Sequence, residues 1–171
     1  MKTSLTIVTL TIAAAWIAAP AAAQEHPAMQ QSKGFEQLKP LIGEWDGQTS
    51  NGKPVHVSYA LVSNGTALLE RLAMGGEAEM VTVYTPDGDH LAVTHYCSAG
   101  NQPQMRTAAV TGPTTEFSFS FVGATNLASP TAGHMHHLTV ALQDHDHFSE
   151  AWTWSDSGKE HTDTFHFTRK G

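Results

Sequence analysis

The sequence predicts an all-β fold, an antiparallel up-and-down barrel of about ten strands preceded by a short helix. Apolar and polar residues alternate with period two from Trp45 almost to the end of the chain. Turn signals such as Asn64-Gly65 and Asp87-Gly88 recur between the alternating runs, and both pairs suit tight hairpins because their residues tolerate positive φ. No helical stretch interrupts this pattern, which favours a meander that closes on itself.

The N-terminal residues are predicted to be a targeting segment. Residues 1–23 are typical of a secretory signal peptide, with Lys2 before an apolar run and small residues at the cleavage position. Residues 24–33 are polar and form a predicted flexible leader, which leaves 34–171 as the barrel domain. We therefore expect an exported protein, periplasmic or extracellular. No later segment approaches the roughly 20 apolar residues that a transmembrane helix needs.

Composition restricts the partners and the chemistry. The formal net charge of −7 argues against nucleic acid or an anionic membrane surface as a partner. The single cysteine, Cys97, excludes an internal disulfide. The chain has no G-x-S-x-G elbow, no P-loop and no G-x-G-x-x-G motif. No reaction and no cofactor are therefore assigned, and a binding function is favoured over catalysis. The sequence does not indicate an oligomeric state.

The elements follow in order along the chain. Phe35, Leu38 and either Leu41 or Ile42 share one face of a short helix that Pro40 ends or kinks. The strands come after it, each bounded by turn residues. We predict them at 44–49, 54–62, 67–74, 79–85, 90–97, 104–110, 115–122, 135–143, 147–154 and 160–168.

Hairpin registers assign side chains to the inner face of the first strands. Around Asn64-Gly65, Tyr59 pairs with Glu70, and large apolar residues share their face. Around Asp87-Gly88, Met80 is expected opposite His95 on the inner face.

The registers of the last three strands agree with one another. Turns at 144–146 and at Ser157-Gly158 place Glu150, Trp152, Trp154 and Asp163 on a single inner face. His136 joins that face, opposite Trp154.

The predicted position of Arg106 depends on where the turn between its strand and the next has its centre. If Gly112-Pro113 is the centre of the turn, Arg106 falls inside the barrel opposite Phe119 and is a natural partner for a buried carboxylate. A slip of one residue would place Met105 there instead.

The chain resembles the calycin barrels, which include lipocalins, fatty-acid-binding proteins and secreted bacterial lipocalin-like domains. The resemblance rests on Gly43-Glu44-Trp45 after a short helix, the meander of strands and the terminal "FHFTRKG". It implies that Trp45 closes the barrel floor and packs against Arg169. It also implies a cavity for a small ligand.

A haem-binding branch of similar barrels, nitrobindin-like, carries G-x-W-x-G-x-G and uses a late histidine as iron ligand. Gly43, Trp45 and Gly47 match that motif, but Thr49 replaces the last glycine. The resemblance implies His161 as the counterpart of the ligand, with His166 less suited by its facing.

The predicted inner face is an apolar and aromatic wall with a few polar groups, as in a binding pocket for a small, largely apolar molecule. The predicted ligand-binding residues are Tyr59, Glu70, His95, Arg106, His136, Glu150, Trp152, Trp154 and Asp163. The alternative is a metal- or haem-binding barrel. His95, Cys97 and Met80 share a face and suit copper, and zinc and haem are further alternatives.

Five histidines lie in the stretch 133–148, "GHMHHLTVALQDHDHF". Side chains alternate along a strand, so His134 and His136 are expected on one side and His137 on the other. His145 and His147 fall at the following turn, a strand's length away. The stretch is therefore not expected to form a single metal site.

Overall fold

The computed structural model describes residues 32–171. The predicted signal peptide, 1–23, and the predicted leader up to residue 31 lie outside the described residues. Within 32–171, no helix has both the length and the apolar character needed to cross a lipid bilayer.

Ten antiparallel strands form a closed barrel in which each strand pairs with its neighbours in sequence and β1 pairs with β10. This confirms the predicted fold class. Two short helical segments precede the barrel, α1 at Lys33–Leu38 and a 3₁₀ turn at Lys39–Leu41. The strands are β1 Gly43–Thr49, β2 Pro54–Val62, β3 Ala67–Met74, β4 Met80–Asp87, β5 His90–Tyr96, β6 Gln102–Thr107, β7 Glu116–Thr125, β8 His134–Leu142, β9 His147–Asp156 and β10 Lys159–Arg169.

The helix α1 covers one end of the barrel. Ser32 caps it by accepting a hydrogen bond from the backbone N–H of Phe35 at 3.4 Å, which satisfies a donor that the first turn leaves unpaired. The helix residues Phe35 and Leu38 are buried. The side chain of Gln37 bonds the backbone at Gly112 and Thr114, which ties the helix to the loop between β6 and β7. The opposite end of the barrel has no such cover among the described residues.

The core is the set of inward-facing residues on all ten strands. In β2 and β3 the register joins Tyr59 to Glu70, the pairing that the sequence predicts, and Leu61 to Leu68. In β9 and β10, Glu150 pairs with Phe165. Because alternation continues through every hairpin, one face of the sheet is buried and the other faces solvent.

The turn between β4 and β5 differs from the prediction. Asp87 pairs with His90, so Gly88 and Asp89 form the turn and His95 lies opposite Thr82. The predicted pairing of His95 with Met80 is therefore wrong by two positions. A shift of two leaves the facing unchanged, and Met80, Thr82 and His95 are all buried.

Arg106 lies on the outside of the barrel, which corrects its predicted inner position. Strand β6 ends at Thr107, and residues 108–115 form a loop rather than a tight turn at Gly112-Pro113. Thr107 therefore pairs with Phe119, and Met105 faces inward with 1% of its surface exposed. Arg106 forms an exposed ion pair with Asp87, with Nε 2.6 Å from Oδ2.

Barrel closure centres on Trp45 and Arg169, which pair directly across β1 and β10. The guanidinium carbon lies 4.0 Å from the centre of the Trp45 ring, a cation–π contact. Arg169 also donates to the backbone oxygens of Pro40, Ile42 and His145, at 2.7, 3.0 and 3.0 Å. One side chain thus joins the N-terminal segment, β1, β10 and the loop after β8.

We expect Arg169→Gln to lower the free energy of unfolding by about 1.5–3 kcal/mol, because several charge-assisted hydrogen bonds and a cation–π contact are lost together. Arg71 is a matched control, since the ion pair that it forms with Glu79 is exposed. The free energy of unfolding of Arg71→Gln, measured with urea, should change by about 0.2–1 kcal/mol at most. Equal losses in the two variants would contradict a special role for Arg169.

Candidate functional site

The uncovered end of the barrel opens into a cavity of about 570 Å³. Its walls come from the ends of β1, β2, β3, β8, β9 and β10. The apolar part of the lining is Pro54, Met74, Met135, Trp152, Trp154 and Phe165. An apolar, aromatic cavity of this size with polar groups around it is typical of a small-molecule site.

Polar side chains surround the cavity at its mouth. They are Thr49, Asn51, Lys53, Glu77, His161 and Asp163. The His161 Nε2 lies 3.3 Å from Asp163 Oδ1, and both side chains are well exposed. The mouth therefore offers one lysine ammonium group, one imidazole and several side-chain oxygens that could orient the polar end of a ligand.

The position of Trp154 depends on Gly133. A Cβ atom at residue 133 would overlap with Cζ2 of the Trp154 ring. Only glycine leaves room for the indole there, so the loop before β8 supports one wall of the cavity directly.

A fully buried polar cluster lies inside the barrel next to the cavity. We call it the glutamate cluster, and it consists of Tyr59, Glu70, Thr82, Tyr84, His95, Glu150 and Trp152. Tyr59 donates to Glu150 and lies 3.3 Å from Glu70, so one hydroxyl links two carboxyl groups from strands β3 and β9. Tyr84 donates to Glu70 at 2.6 Å. The Trp152 indole N–H donates to Glu150 at 3.0 Å, which joins the cluster to the cavity wall.

Burial controls the protonation of this cluster. Desolvation raises the pKa of Glu70 well above its usual value, and the nearby Glu150 charge raises it further. Desolvation also raises the pKa of Glu150. The pKa values of Tyr59 and Tyr84 are raised for the same reason, so both hydroxyls remain hydrogen-bond donors. Two carboxyl groups that share a donor in a dry interior favour a state in which at least one carries a proton.

His95 is neutral in this environment, because burial lowers its pKa to about 4. Its Nδ1 lies 2.9 Å from the oxygen of the Thr82 hydroxyl, and the hydrogen of that hydroxyl is donated to Glu70. Its ring packs against Trp152 with a centroid distance of 4.5 Å. Its Nε2 finds no hydrogen-bond partner among residues 32–171. An unpaired buried nitrogen costs free energy, so this atom is a candidate contact for a ligand.

The structure separates the predicted site residues into three groups. Tyr59, Glu70, His95 and Glu150 form the buried cluster, whereas Trp154 and Asp163 line the cavity and Trp152 belongs to both. Arg106 is outside the barrel. His136 is the extra residue of a β-bulge, and Met135 takes the predicted place opposite Trp154.

The residues predicted as candidates for a metal or haem differ in their exposure to solvent. His95 and Met80 are buried, and Cys97 is half-buried with its thiol pKa raised by desolvation. His161 is at the cavity mouth, and His166 is exposed on the outer surface of β10.

Several residues of the site were missed by sequence reasoning. Thr82 and Tyr84 both donate hydrogen bonds to Glu70, and neither is among the predicted site residues. Their signal was the alternation in β4, which turns both toward the interior beside a carboxylate. Asn51 and Lys53 lie in the β1–β2 hairpin, where no local pattern indicates that the loop borders a cavity.

Solved structures with a similar fold include a protein from M. tuberculosis, Rv2717c. It is 13% identical, with a TM-score of 0.57, and the match covers 82% of this chain and 99% of that one. A protein of unknown function from the DUF3598 family of Nostoc punctiforme is 14% identical, with a TM-score of 0.53 and coverage of 78% and 49%. The chain thus spans about half of that protein. These likenesses show a shared barrel fold. No protein-family model matches the sequence, and neither does any curated protein sequence.

The glutamate cluster predicts a pH-dependent stability. Because its folded pKa is raised, Glu70 stabilises the fold below its unfolded pKa of about 4.5, and this contribution is lost as pH rises through the folded value. The free energy of unfolding should therefore fall as the pH rises above the unfolded pKa toward the raised folded one. Glu70→Gln, which resembles the protonated acid, should show a smaller fall in urea titrations. Glu116→Gln, at an exposed position on β7, should follow the wild type. Parallel profiles for all three proteins would refute the assignment.

Proposed function

We propose that this protein is an exported, calycin-type binding protein that holds a small, largely apolar molecule in the cavity at the open end of its barrel. The observation that carries the proposal is the cavity itself, about 570 Å³ with Met, Trp and Phe side chains as its walls. Export rests on the signal-like residues 1–23. No reaction is part of the proposal.

The division of the lining suggests how such a ligand would be oriented. The apolar body would lie between Trp154, Met135 and Phe165, where burial of apolar surface favours binding. A polar end would remain at the mouth near Lys53 or Asp163. The two ends of the cavity thus favour an amphipathic ligand over a uniformly apolar one.

The buried side of the cavity adds selectivity. Trp152 forms part of the wall, and its N–H is already committed to Glu150. A ligand therefore meets an indole whose N–H is occupied rather than a free donor. Changes in the glutamate cluster would act on the ligand through the position of this ring.

A haem- or metal-binding barrel is the second candidate function. The observation that favours it is the buried, neutral His95, whose Nε2 lacks a partner among the described residues. A neutral imidazole nitrogen is a good ligand for copper, zinc or haem iron. Trp152 packs over this ring, so binding there requires the indole to move. His161 is the alternative ligand for haem, because it lies at the cavity mouth.

Ligand binding can be tested with a fluorescent fatty-acid probe and with native mass spectrometry of protein purified from its own host. We expect the probe to bind, and Trp154→Ala to weaken binding roughly tenfold, because the ring supplies apolar contact area. Tyr96→Ala is the control, since this aromatic side chain is exposed. An empty barrel in mass spectra together with no probe binding would end the proposal.

The second candidate predicts metal or haem in the interior or at the mouth. Elemental analysis and visible spectra after exposure to Cu²⁺, Zn²⁺ or haem would detect it. An interior metal should be lost in His95→Ala but retained in His137→Ala, whose imidazole lies near Ser118 and Thr139 on the outer side. Bound haem should be lost in His161→Ala. The second candidate fails if none of the three is retained after exposure.

A further inference from the structure

We propose that His134 and His136 form a binding site for a divalent transition-metal ion, with Cu²⁺ bound most tightly, at the rim of the barrel. The two histidines begin β8, and His134 Nε2 lies 3.2 Å from His136 Nδ1. The β-bulge between Met135 and His137 alters the regular alternation at this point. Met135 lines the mouth cavity, whereas neither histidine does, so this site is distinct from the proposed ligand cavity.

Neighbouring groups fix the proton on His134. Its Nδ1 lies 2.7 Å from the backbone oxygen of Ala132. A carbonyl oxygen only accepts, so Nδ1 carries the hydrogen of the neutral ring and Nε2 presents a lone pair. A hydrogen bond from the non-coordinating nitrogen to a carbonyl is the usual support of a metal-binding histidine.

The second histidine faces the first. Without a metal, the neutral His136 ring carries its hydrogen on Nδ1 and donates it to His134 Nε2 at 3.2 Å. Binding of a metal would move this hydrogen to His136 Nε2, and the Glu160 carboxylate lies 4.0 Å from that nitrogen. The two facing nitrogens would then both offer lone pairs to the cation.

The spacing fits coordination. Imidazole nitrogens lie about 2.0–2.1 Å from a bound metal such as zinc, and two of them 3.2 Å apart then subtend an angle of about 100°. This angle lies between the square-planar and tetrahedral values. The Phe121 ring packs against His134 and His136, with centroid distances of 4.5 and 5.1 Å, and limits their motion.

The remaining coordination positions would hold water. Among residues 32–171, no third histidine, cysteine or carboxylate joins the pair to form a larger group. The His136 side chain is 42% exposed, so an ion can reach the pair from solvent. Two imidazoles with open positions suit Cu²⁺, Ni²⁺ and Zn²⁺, and the usual order of affinities places Cu²⁺ first.

The test is titration of the tag-free full chain with Cu²⁺, followed by calorimetry and electron paramagnetic resonance. We expect one tight equivalent whose spectrum shows coupling to two nitrogens. His136→Ala should weaken this binding by more than about tenfold, since loss of a mere supporting partner already costs that much. With Zn²⁺, imidazole ¹⁵N resonances of His134 and His136 should shift together.

Two variants separate this site from its neighbours. His137→Ala removes the adjacent histidine on the same strand and should leave Cu²⁺ affinity unchanged. His95→Ala removes the interior candidate and should also leave it unchanged, which distinguishes the two metal proposals. Cu²⁺ binding that is absent, or equally strong in His136→Ala, would overturn the proposal. Thermal unfolding of each variant without metal shows whether the fold is intact.

Discussion

The pairing of β1 with β10 is the constraint on which the rest of the structure depends. It closes the sheet, so every described strand has a neighbour on both sides and one face of the sheet becomes an interior. Trp45 and Arg169 lie at this junction, and Gly47 permits it, since a Cβ there would meet the Phe167 ring at 2.5 Å. Closure also brings distant strands face to face. Glu70 and Glu150, eighty positions apart in the numbering, meet only because the barrel is closed.

The glutamate cluster shows how a small interior accommodates polar groups. Burying an isolated carboxylate costs on the order of several kcal/mol of free energy, and protonation and hydrogen bonds reduce this cost. Here the donors are two tyrosines, a threonine and a tryptophan, all of which remain uncharged. Within this cluster, His95 Nε2 is the one buried side-chain atom without a hydrogen-bond partner among the described residues. A network of this kind specifies one arrangement of the core more strongly than apolar packing alone.

The sequence was sufficient for the fold class and for most of the inner face, because period-two alternation survives errors in register. The predicted turn after β4 was displaced by one residue, which shifts the strand pairing by two positions, yet His95 and Met80 still face inward. Register errors of an odd number of residues are different, because they turn the side chains to the opposite face of the sheet. The long loop at 108–115 moved Arg106 to the outside, and the bulge in β8 displaced His136. Neither irregularity has a local signal in the sequence.

Contacts across the interior were harder still to predict. Hairpin registers relate each strand to its neighbours, but they carry no information on which residues meet across the barrel. The link from Tyr59 to Glu150 and the packing of Trp152 on His95 are contacts of this kind. The position of the cavity at one end also required the structure, because it depends on which end the helix covers.

The absence of a side chain at residue 133 has an evolutionary consequence. The width of the mouth is set partly by how closely Trp154 approaches this glycine. Any larger residue there would displace the indole and change the shape of the opening without contacting a bound molecule. Selection on ligand size could therefore act through a loop position that contributes no functional group, and a comparison of related barrels would have to consider that loop to explain differences in what they admit.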